Sequence, residues 1–294
     1  MNGVINVYKE KGFTSQDVVA KLRGILKQKK IGHTGTLDPD AEGVLPICVG
    51  NATKLFDILT DRTKEYETVL LLGKTTDTQD ISGNVLSESD SYKDLSVKEI
   101  EDTILSFLPG YEQIPPMYSA LKVNGKKLYE LAREGKTIER TPRHVDIDNI
   151  EITDISLPRI TMKLSVSKGT YIRTICNDIG EKLKCGGLME SLLRTKAGSF
   201  LIDSSLKLSE IEAIRDEGKI DDILIKVDDL FDYEKLHMKS SSDKSVHNGN
   251  IFNVYDTVEN KKIKGNVLVY DSDNMFVGIY TYSEGKYKPF KMFL

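Results

Sequence analysis

Several features that would place the protein in well-known classes are missing from the sequence. No run of about 18 apolar residues occurs, so we expect no membrane-spanning helix. The first residues lack a basic segment followed by an apolar core, so we expect no signal peptide. Only three cysteines are present, without C-x-x-C spacing, which argues against a disulfide framework and a structural zinc site. These absences favour buried, unpaired thiols and a reducing cytoplasm.

An overall excess of positive charge is also missing, because the net charge is -4. Phosphate contacts require Lys and Arg, so this value is unusual for a nucleic-acid binder. The charges are segregated, however: residues 18–30 carry five basic residues and no acid, whereas residues 77–102 carry eight acids and two lysines. Residues 120–145 carry seven basic and three acidic residues. This pattern predicts a basic face that could bind a polyanion, although an ordinary solvated helix face would explain it too.

The most distinctive stretch is IGHTGTLDPDAEGVLPICVGNATK, which spans residues 31–54. Three glycines lie around one Asp-Pro dipeptide, in the order Gly32, Gly35, Asp38, Pro39 and Gly43. Glycine permits unusual backbone conformations, and proline restricts the residue before it. We therefore expect a tight loop that holds Asp38 in a set direction, although Asp-Pro alone is also a common turn. The apolar run 44–49 should anchor this loop, but Pro46 argues against a regular central strand there.

The hydrophobic pattern predicts a mixture of strands and helices. The alternation of apolar and polar residues indicates strands at 3–8, 64–73, 145–155 and 160–166. Apolar residues at helical spacing predict helices after the capping residues Thr14 and Ser96. They predict two more helices, one that opens at 167–174 and continues to Leu183 and one over 208–214. Short strand-like runs with intervening turn residues come last, at 251–255, 267–270 and 275–280.

We therefore predict an α+β protein in which helices flank a large mixed sheet and a small β-barrel follows. The predicted domains are residues 1–230, which would carry the catalytic site, and residues 231–294, which would form the barrel.

Several motifs occur together along the chain. They are KEKGFTSQDVV (9–19), GHTGTLDPDAEGVLP (32–46), KEY (64–66), TDTQD (76–80), QIPPMYSALK (113–122), SKGTYIRT (167–174) and LLRT (192–195). In combination they resemble the bacterial tRNA pseudouridine-55 synthase (TruB) family. Glu10 and Leu193 stand where the family commonly has proline and arginine. The ending YKPFKMF (287–293) resembles the small RNA-binding PUA-type domain that closes this family.

The resemblance implies a pseudouridine synthase fold with a mostly antiparallel sheet and a PUA-like barrel. It implies three catalytic residues, which are the nucleophile Asp38, its ionic partner Arg173 and the base-contacting Tyr66. It implies a set of substrate-binding residues: His33, Tyr66, Tyr171, Leu192 and Lys9. It further implies a mobile thumb over about residues 112–145, the T-arm of tRNA as partner, and neither a cofactor nor a metal. We expect a cytoplasmic monomer.

The chemistry explains why such residues would be needed. Forming pseudouridine breaks the N1–C1′ bond of uridine, rotates the uracil and rejoins it through C5, so no redox step or group donor is required. A carboxylate must attack and leave again, and a neighbouring arginine favours its charged form. Because the reacting edge is hidden in folded tRNA, the nucleotide must flip out.

Two other classes of function remain open at this stage. A glycosidase would pair Asp38 with a second carboxylate such as Glu42, with the two carboxyl groups about 5 to 10 Å apart. A tRNA-binding or folding protein without catalysis would need only the basic face and the barrel.

Overall fold

The structure, a computed structural model, describes residues 1–60, 62–123 and 125–294. The strands are β1 Gly3–Lys9, β2 Ile31–His33, β3 Glu42–Val49, β4 Lys64–Leu72, β5 Lys74–Thr76, β6 Val85–Glu88, β7 Gly110–Gln113, β8 Lys122–Val123, β9 Lys126–Lys127, β10 Arg143–Ser156, β11 Arg159–Val166, β12 Gly187–Ala197, β13 Phe200–Leu201, β14 Lys235–His237, β15 Gly265–Tyr270, β16 Phe276–Ser283 and β17 Lys286–Met292. The helices are α1 Ser15–Leu26, α2 Phe56–Thr60, α3 Val97–Leu105, α4 Leu128–Arg133, α5 Ile172–Lys182, α6 Leu208–Asp216, α7 Ile220–Ile223 and α8 Asp243–His247.

The larger sheet is mixed and mostly antiparallel, as predicted. Its main path runs β1-β3-β12-β4-β11-β10-β7, with β2 paired to β3 and β13 paired to β12. Only the short pairing of β12 with β3 is parallel among the described strands of this sheet. Helices α3 and α5 share one hydrophobic core with β4, β10 and β11, whereas α1 and α6 share another with β1 and β3. Helices therefore flank the sheet, and the predicted fold class is confirmed.

Helix α1 follows the predicted pattern and fixes the position of the loop after it. Thr14 caps the helix by accepting from the backbone N–H of Asp17, whose carboxylate accepts from the backbone N–H of Thr14. The apolar residues at helical spacing, Val18, Val19, Leu22, Ile25 and Leu26, are buried. Lysines on the opposite face are exposed. The helix is thus anchored to β1 and β3 with its basic side outward.

Pro46 corrects one expectation, because it lies inside the regular strand β3, opposite Asn6 of β1. Its carbonyl oxygen accepts from the backbone N–H of Thr34 at 3.1 Å. A non-proline residue would return a hydrogen bond to the carbonyl oxygen of Thr34. That oxygen instead accepts from the hydroxyl of Thr60 at 3.0 Å. The hydroxyl replaces the missing N–H, so proline is tolerated within the sheet.

The C-terminal part forms a second sheet with the order β14-β15-β16-β17 around its own hydrophobic core. The predicted strand at 251–255 is wrong. Phe252 makes an isolated bridge to Tyr287, and a single 3₁₀ turn, Val254–Asp256, follows. The carboxylate of Asp256 accepts from the backbone N–H of Asn253 at 2.7 Å and so competes with strand pairing. Strand β14 was not predicted.

The two sheets share a hydrophobic cluster. Val4 and Val44 of the larger sheet pack in it with Leu268, Ile279 and Phe293 of the C-terminal part. No helix in the described ranges is both long and apolar enough to cross a membrane.

Candidate active site

The loop between β2 and β3, residues 34–41, is here called the Asp38 loop. Ser15 at the start of α1 binds it, because its hydroxyl accepts from the backbone N–H of Leu37 at 2.8 Å. The same hydroxyl donates to the carbonyl oxygen of Leu37 at 3.1 Å. The Lys9 ammonium donates to the carbonyl oxygen of Pro39 at 3.0 Å. Asp38 is therefore flanked on both sides by residues that other elements hold.

Of the three glycines around this loop, only Gly43 has a positive φ, 101°. It also meets the closest neighbour, since a Cβ atom at Gly43 would lie 2.2 Å from the carbonyl oxygen of Arg194. A Cβ atom at Gly35 would meet only the Arg194 guanidinium at 3.6 Å, and one at Gly32 would meet nothing within 4 Å. Glycine is thus required at position 43, where β12 packs closely against the end of the loop.

Arg173 connects the Asp38 loop to two other segments. It lies in the first turn of α5, and its side chain is only 7% exposed. Its Nη1 lies 3.0 Å from Oδ2 of Asp38 and 3.5 Å from Oδ2 of Asp80. Its Nη2 donates to the carbonyl oxygen of Tyr118 at 2.6 Å. One guanidinium therefore holds together the Asp38 loop, the turn that carries Asp80, and the segment after β7.

Asp80 is itself held by hydrogen-bond donors. Its Oδ1 accepts from the hydroxyl of Thr78 at 2.7 Å, and from the backbone N–H and hydroxyl of Ser82 at 3.0 and 2.6 Å. With Arg173 at the other oxygen, both oxygens face donors, as suits an ionised carboxylate. Asp80 thus helps to fix Arg173.

Burial is the dominant influence on Asp38. It raises the pKa of the Asp38 carboxyl above its ordinary value, and the positive charge of Arg173 opposes this only in part. The negative charge of Asp80 raises the same pKa further. Asp38 is consequently a partly desolvated carboxylate whose charge is stabilised by one arginine. Such a carboxylate suits a group that must both attack and leave.

A cavity of about 680 Å³ opens beside this pair, within the roughly 300–1,000 Å³ of typical small-molecule sites. The sequence-predicted residues Tyr66, Tyr171 and Leu192 line it together with Asp38 and Arg173. Five further lining residues lie between β7 and β10, in the predicted thumb: Tyr118, Ser119, Ala120, Tyr129 and Arg133. The Asp38–Arg173 pair therefore shares the cavity with aromatic and aliphatic side chains and with further charged residues such as Asp80, an arrangement that could enclose a flat polar ring.

Lys9 does not reach this cavity, although the sequence suggested a substrate contact. Its side chain is buried, and its ammonium donates to the carbonyl oxygens of Glu10, Phe13 and Pro39. All three N–H donors are thereby used on the backbone. Burial lowers the pKa of Lys9 to about 8. The lysine supports the Asp38 loop from behind.

His33 also lies outside the residues that line the cavity. It belongs to β2, directly before the Asp38 loop, and is half-buried. Burial lowers its pKa, and the nearby positive charge of Arg194 lowers it further. The structure therefore places the His33 imidazole, whose neutral form burial favours, next to the loop and not against the acid–arginine pair.

Three residues of the site had no role assigned from sequence: Asp80, Gln113 and Arg194. Each stands inside a motif that the sequence does show, namely TDTQD, QIPPMYSALK and LLRT. Gln113 is buried, and its amide accepts from the backbone N–H of Tyr171 at 2.9 Å and donates to the Tyr171 carbonyl oxygen at 3.1 Å. The motifs were the available signal, but the partners of these side chains are set by tertiary structure.

Comparison with known proteins agrees with this geometry. Residues 23–172 match the family model described as TruB family pseudouridylate synthase (N terminal domain). Residues 173–232 match the tRNA pseudouridylate synthase B C-terminal domain. The chain is 52% identical to tRNA pseudouridine synthase B of Lachnoclostridium phytofermentans over 100% of both chains. It is 47% identical to the protein of the same name from Alkaliphilus oremlandii, over 95% of this chain and 92% of that one.

Solved structures show the same fold at low sequence identity. One is a Cbf5-Nop10-Gar1 complex, with a TM-score of 0.72, 24% identity, and coverage of 99% of this chain and 85% of that chain. Another is an H/ACA RNP bound to a substrate RNA containing 2′-deoxyuridine, with a TM-score of 0.71, 22% identity and the same coverage.

Fold and family matches together define an enzyme of the pseudouridine synthase class, an RNA-modifying isomerase. Within that class, the chain belongs to the TruB family of pseudouridylate synthases.

Proposed function

We propose that this protein isomerises uridine 55 in the T-loop of tRNA to pseudouridine, with Asp38 as the nucleophile and without a cofactor. The observation that carries the proposal is the Asp38–Arg173 pair, 3.0 Å apart, at the wall of a cavity that could enclose a flipped-out nucleotide. The names of the full-length relatives, tRNA pseudouridine synthase B, support tRNA as the substrate.

The proposed reaction needs only groups of this chain and of the substrate. The carboxylate of Asp38 attacks the uridine, the N1–C1′ bond breaks, and the freed uracil turns within the cavity. A C5–C1′ bond then forms, the bond to Asp38 breaks and frees the carboxylate, the proton on C5 is lost, and N1 gains a proton, so the product is an isomer of the substrate. Arg173 favours the charged form of the free carboxylate and aims it at the uridine.

Three side chains are proposed to hold the uracil while it is detached. Tyr66 of β4 and Leu192 of β12 come from neighbouring strands, and Tyr171 lies at the start of α5. All three line the cavity beside Asp38. We propose that His33, next to the loop, fills the space that the flipped nucleotide leaves in the RNA.

The RNA partner would be held by surfaces outside the cavity. We propose residues 1–230 as the catalytic domain, with residues 112–145 as a thumb that closes on the T-arm. In the thumb, Lys127 and Arg133 both lie 5.3 Å from the ring of Tyr129, a combination that suits nucleobase stacking and phosphate contact. Residues 231–294 are proposed as a PUA-like RNA-binding unit, and the protein as a cytoplasmic monomer.

The direct test is tritium release from tRNA labelled at C5 of its uracils. We expect the wild-type protein to release tritium from one position per tRNA, and tRNA with cytidine at position 55 to release none from that site. Asp38→Asn should abolish release while RNA binding persists. Normal turnover by folded Asp38→Asn protein would refute the assignment. Equal RNA binding with no product from either protein would favour a binding-only role.

Glu42→Gln serves as the matched control and also tests the glycosidase alternative. Glu42 accepts from the hydroxyl of Tyr8 at 3.3 Å and is not among the residues that line the cavity. A glycosidase acting through this pair would lose activity in Glu42→Gln and would release free uracil. We expect full isomerase activity in this variant and no free uracil.

A further inference from the structure

Arg194 of β12 is a fully buried arginine whose guanidinium binds the backbone on both sides of Asp38. Its Nε donates to the carbonyl oxygen of Val44 at 2.6 Å. Its Nη2 donates to the carbonyl oxygen of Gly35 at 3.3 Å. Gly35 precedes Asp38 in the Asp38 loop and Val44 follows the loop in β3, so one side chain joins the two arms that carry the carboxylate.

The main chain of β12 makes a second contact with the same region. Arg194 pairs with Gly43 where β12 and β3 run parallel. A Cβ atom at Gly43 would lie 2.2 Å from the carbonyl oxygen of Arg194. The strands can approach this closely only because residue 43 is glycine. Side chain and main chain of Arg194 therefore fix the end of the loop together.

The charge of Arg194 is not used to neutralise an acid. Within the described residues, no carboxylate forms an ion pair with Arg194, whereas Arg173 pairs with both Asp38 and Asp80. A buried charge is costly unless it is well hydrogen-bonded, and hydrogen bonds from a charged donor are stronger than neutral ones. Arg194 makes one short and one longer hydrogen bond to carbonyl oxygens, at 2.6 and 3.3 Å.

We propose that Arg194 is a positioning residue that holds the Asp38 loop closed around its carboxylate, keeping Asp38 beside Arg173. The inference rests on the proposed function, in which Asp38 attacks the uridine. A displacement of about 1 Å at a reacting group can cost about 10²-fold in rate. Arg194 borders the cavity but is only 2% exposed, and its Nε and Nη2 donate to backbone carbonyl oxygens, so RNA affinity should not depend on it.

The first experiment compares Arg194→Met and Arg194→Lys under single turnover with saturating labelled tRNA. Methionine fills similar space but donates no hydrogen bond, so tritium release should slow by about 100-fold. Lysine keeps the charge and can donate to carbonyl oxygens, but its compact ammonium does not reproduce the planar fork of the guanidinium, so we expect an intermediate loss of about tenfold. The Kd for tRNA should change by less than about threefold in both variants.

Arg215→Met is the matched control. Arg215 also donates to a backbone carbonyl oxygen, that of Ile25 at 3.0 Å, but it lies in α6 and not at the cavity. We expect its tritium release to match the wild type. Wild-type rates in folded Arg194→Met would overturn the proposal. A loss of tRNA affinity large enough to explain the whole decrease in tritium release would also overturn it. Equal losses of rate in Arg194→Lys and Arg194→Met that simply follow a lowered Tm would do so too.

A second readout does not depend on activity. Hydrogen exchange of the amides in residues 35–44 should accelerate in Arg194→Met, while exchange in β10, on the far side of the sheet, should not. Gly43→Ala should reproduce this local acceleration. Uniform acceleration, or none, would overturn the proposal. If the wild-type protein released no tritium, the proposed function would fail and the exchange data alone would decide the role of Arg194.

Discussion

At the scale of single residues, Asp38 is subject to two opposing influences. Burial disfavours its charge, and Arg173 at 3.0 Å favours it. Burial is the stronger of the two, so the folded protein binds a proton at Asp38 more readily than the unfolded chain does. The ionised form, which the proposed attack would require, is therefore maintained at some expense of folding stability, as is common at active sites.

This balance predicts that Asp38→Asn raises the Tm at pH 7. The pKa of Asp38 is higher in the folded than in the unfolded state, so ionisation lowers stability once the pH exceeds the unfolded value of about 3.9. Asparagine removes that penalty. The gain in Tm should therefore be present at pH 7 and should vanish as the pH falls below about 4. Calorimetry across this pH range measures it.

Asp17→Asn provides the opposite case. Hydrogen bonds from Thr14 hold the pKa of Asp17 below its ordinary value, so its charge stabilises the fold above the unfolded pKa and that contribution is lost as the pH falls. We expect a lower Tm at pH 7 for this variant. An unchanged or lower Tm for Asp38→Asn at pH 7 would contradict the account of Asp38.

Residue identities at the site were partly predictable. A glycine-framed Asp-Pro motif and an arginine motif far downstream indicated Asp38 and Arg173, and the structure brings them together. The sequence could not show that Lys9 uses its donors on three carbonyl oxygens, because those carbonyls belong to turns whose shape it does not encode locally. Nor could it show the partners of Arg194.

At the scale of elements, alternation and helical spacing predicted β1, β4, β10, β11 and the helices α1 and α3 well, but not the central strand β12. Two other failures occurred where one side chain changes the backbone's hydrogen bonding. Pro46 stays in β3 because the Thr60 hydroxyl supplies the missing donor to Thr34. The run 251–255 does not form a strand because Asp256 binds the backbone N–H of Asn253. Thr60 is distant in sequence from Pro46, so its role could not be read from the local pattern. Asp256 can compete with strand pairing because Phe252 makes only a single bridge to its neighbour.

An element-scale prediction concerns Gln113 at the end of β7. Its amide makes two hydrogen bonds with the backbone of Tyr171, the residue that precedes α5. Gln113→Ala removes the acceptor of the Tyr171 N–H, whereas the Tyr171 carbonyl oxygen still accepts from the backbone of α5, so the free energy of unfolding should fall by about 1–3 kcal/mol. Because α5 carries Arg173, tritium release should slow as well. Urea unfolding should show a lower midpoint with an unchanged m-value.

Gln28→Ala is the control for this prediction. The Gln28 amide also donates to a backbone carbonyl oxygen, that of Met1 at 3.0 Å, but at an exposed site. We expect a change within about 0.5 kcal/mol, as for ordinary surface substitutions. Equal effects of the two variants would show that the hydrogen bonds of Gln113 carry no special weight.

At the scale of the whole molecule, the two sheets are joined by more than the hydrophobic cluster. The Lys54 ammonium donates to the carbonyl oxygen of Met292 at 2.7 Å, and Lys291 pairs with Asp57 at 2.8 Å. Apolar contact and these polar contacts together give the C-terminal sheet a fixed place against α2 and the turn before it. The sequence predicted a second unit there but could not show which surface it would use.

The distribution of charge also belongs to the whole molecule. Basic and acidic segments are separated along the chain, and the net charge of -4 does not reveal this. If tRNA binds the basic face, neutralising lysines on that face should weaken binding, whereas the same change elsewhere should not. Lys27→Gln/Lys29→Gln, at the exposed end of α1, should raise the Kd and flatten the dependence of log Kd on log salt by about 2. Lys93→Gln/Lys98→Gln changes the net charge equally within the acidic segment and should leave both quantities unchanged. Titrations of tRNA at several salt concentrations measure this, and equal effects of the two pairs would mean that net charge, and not a basic face, governs binding.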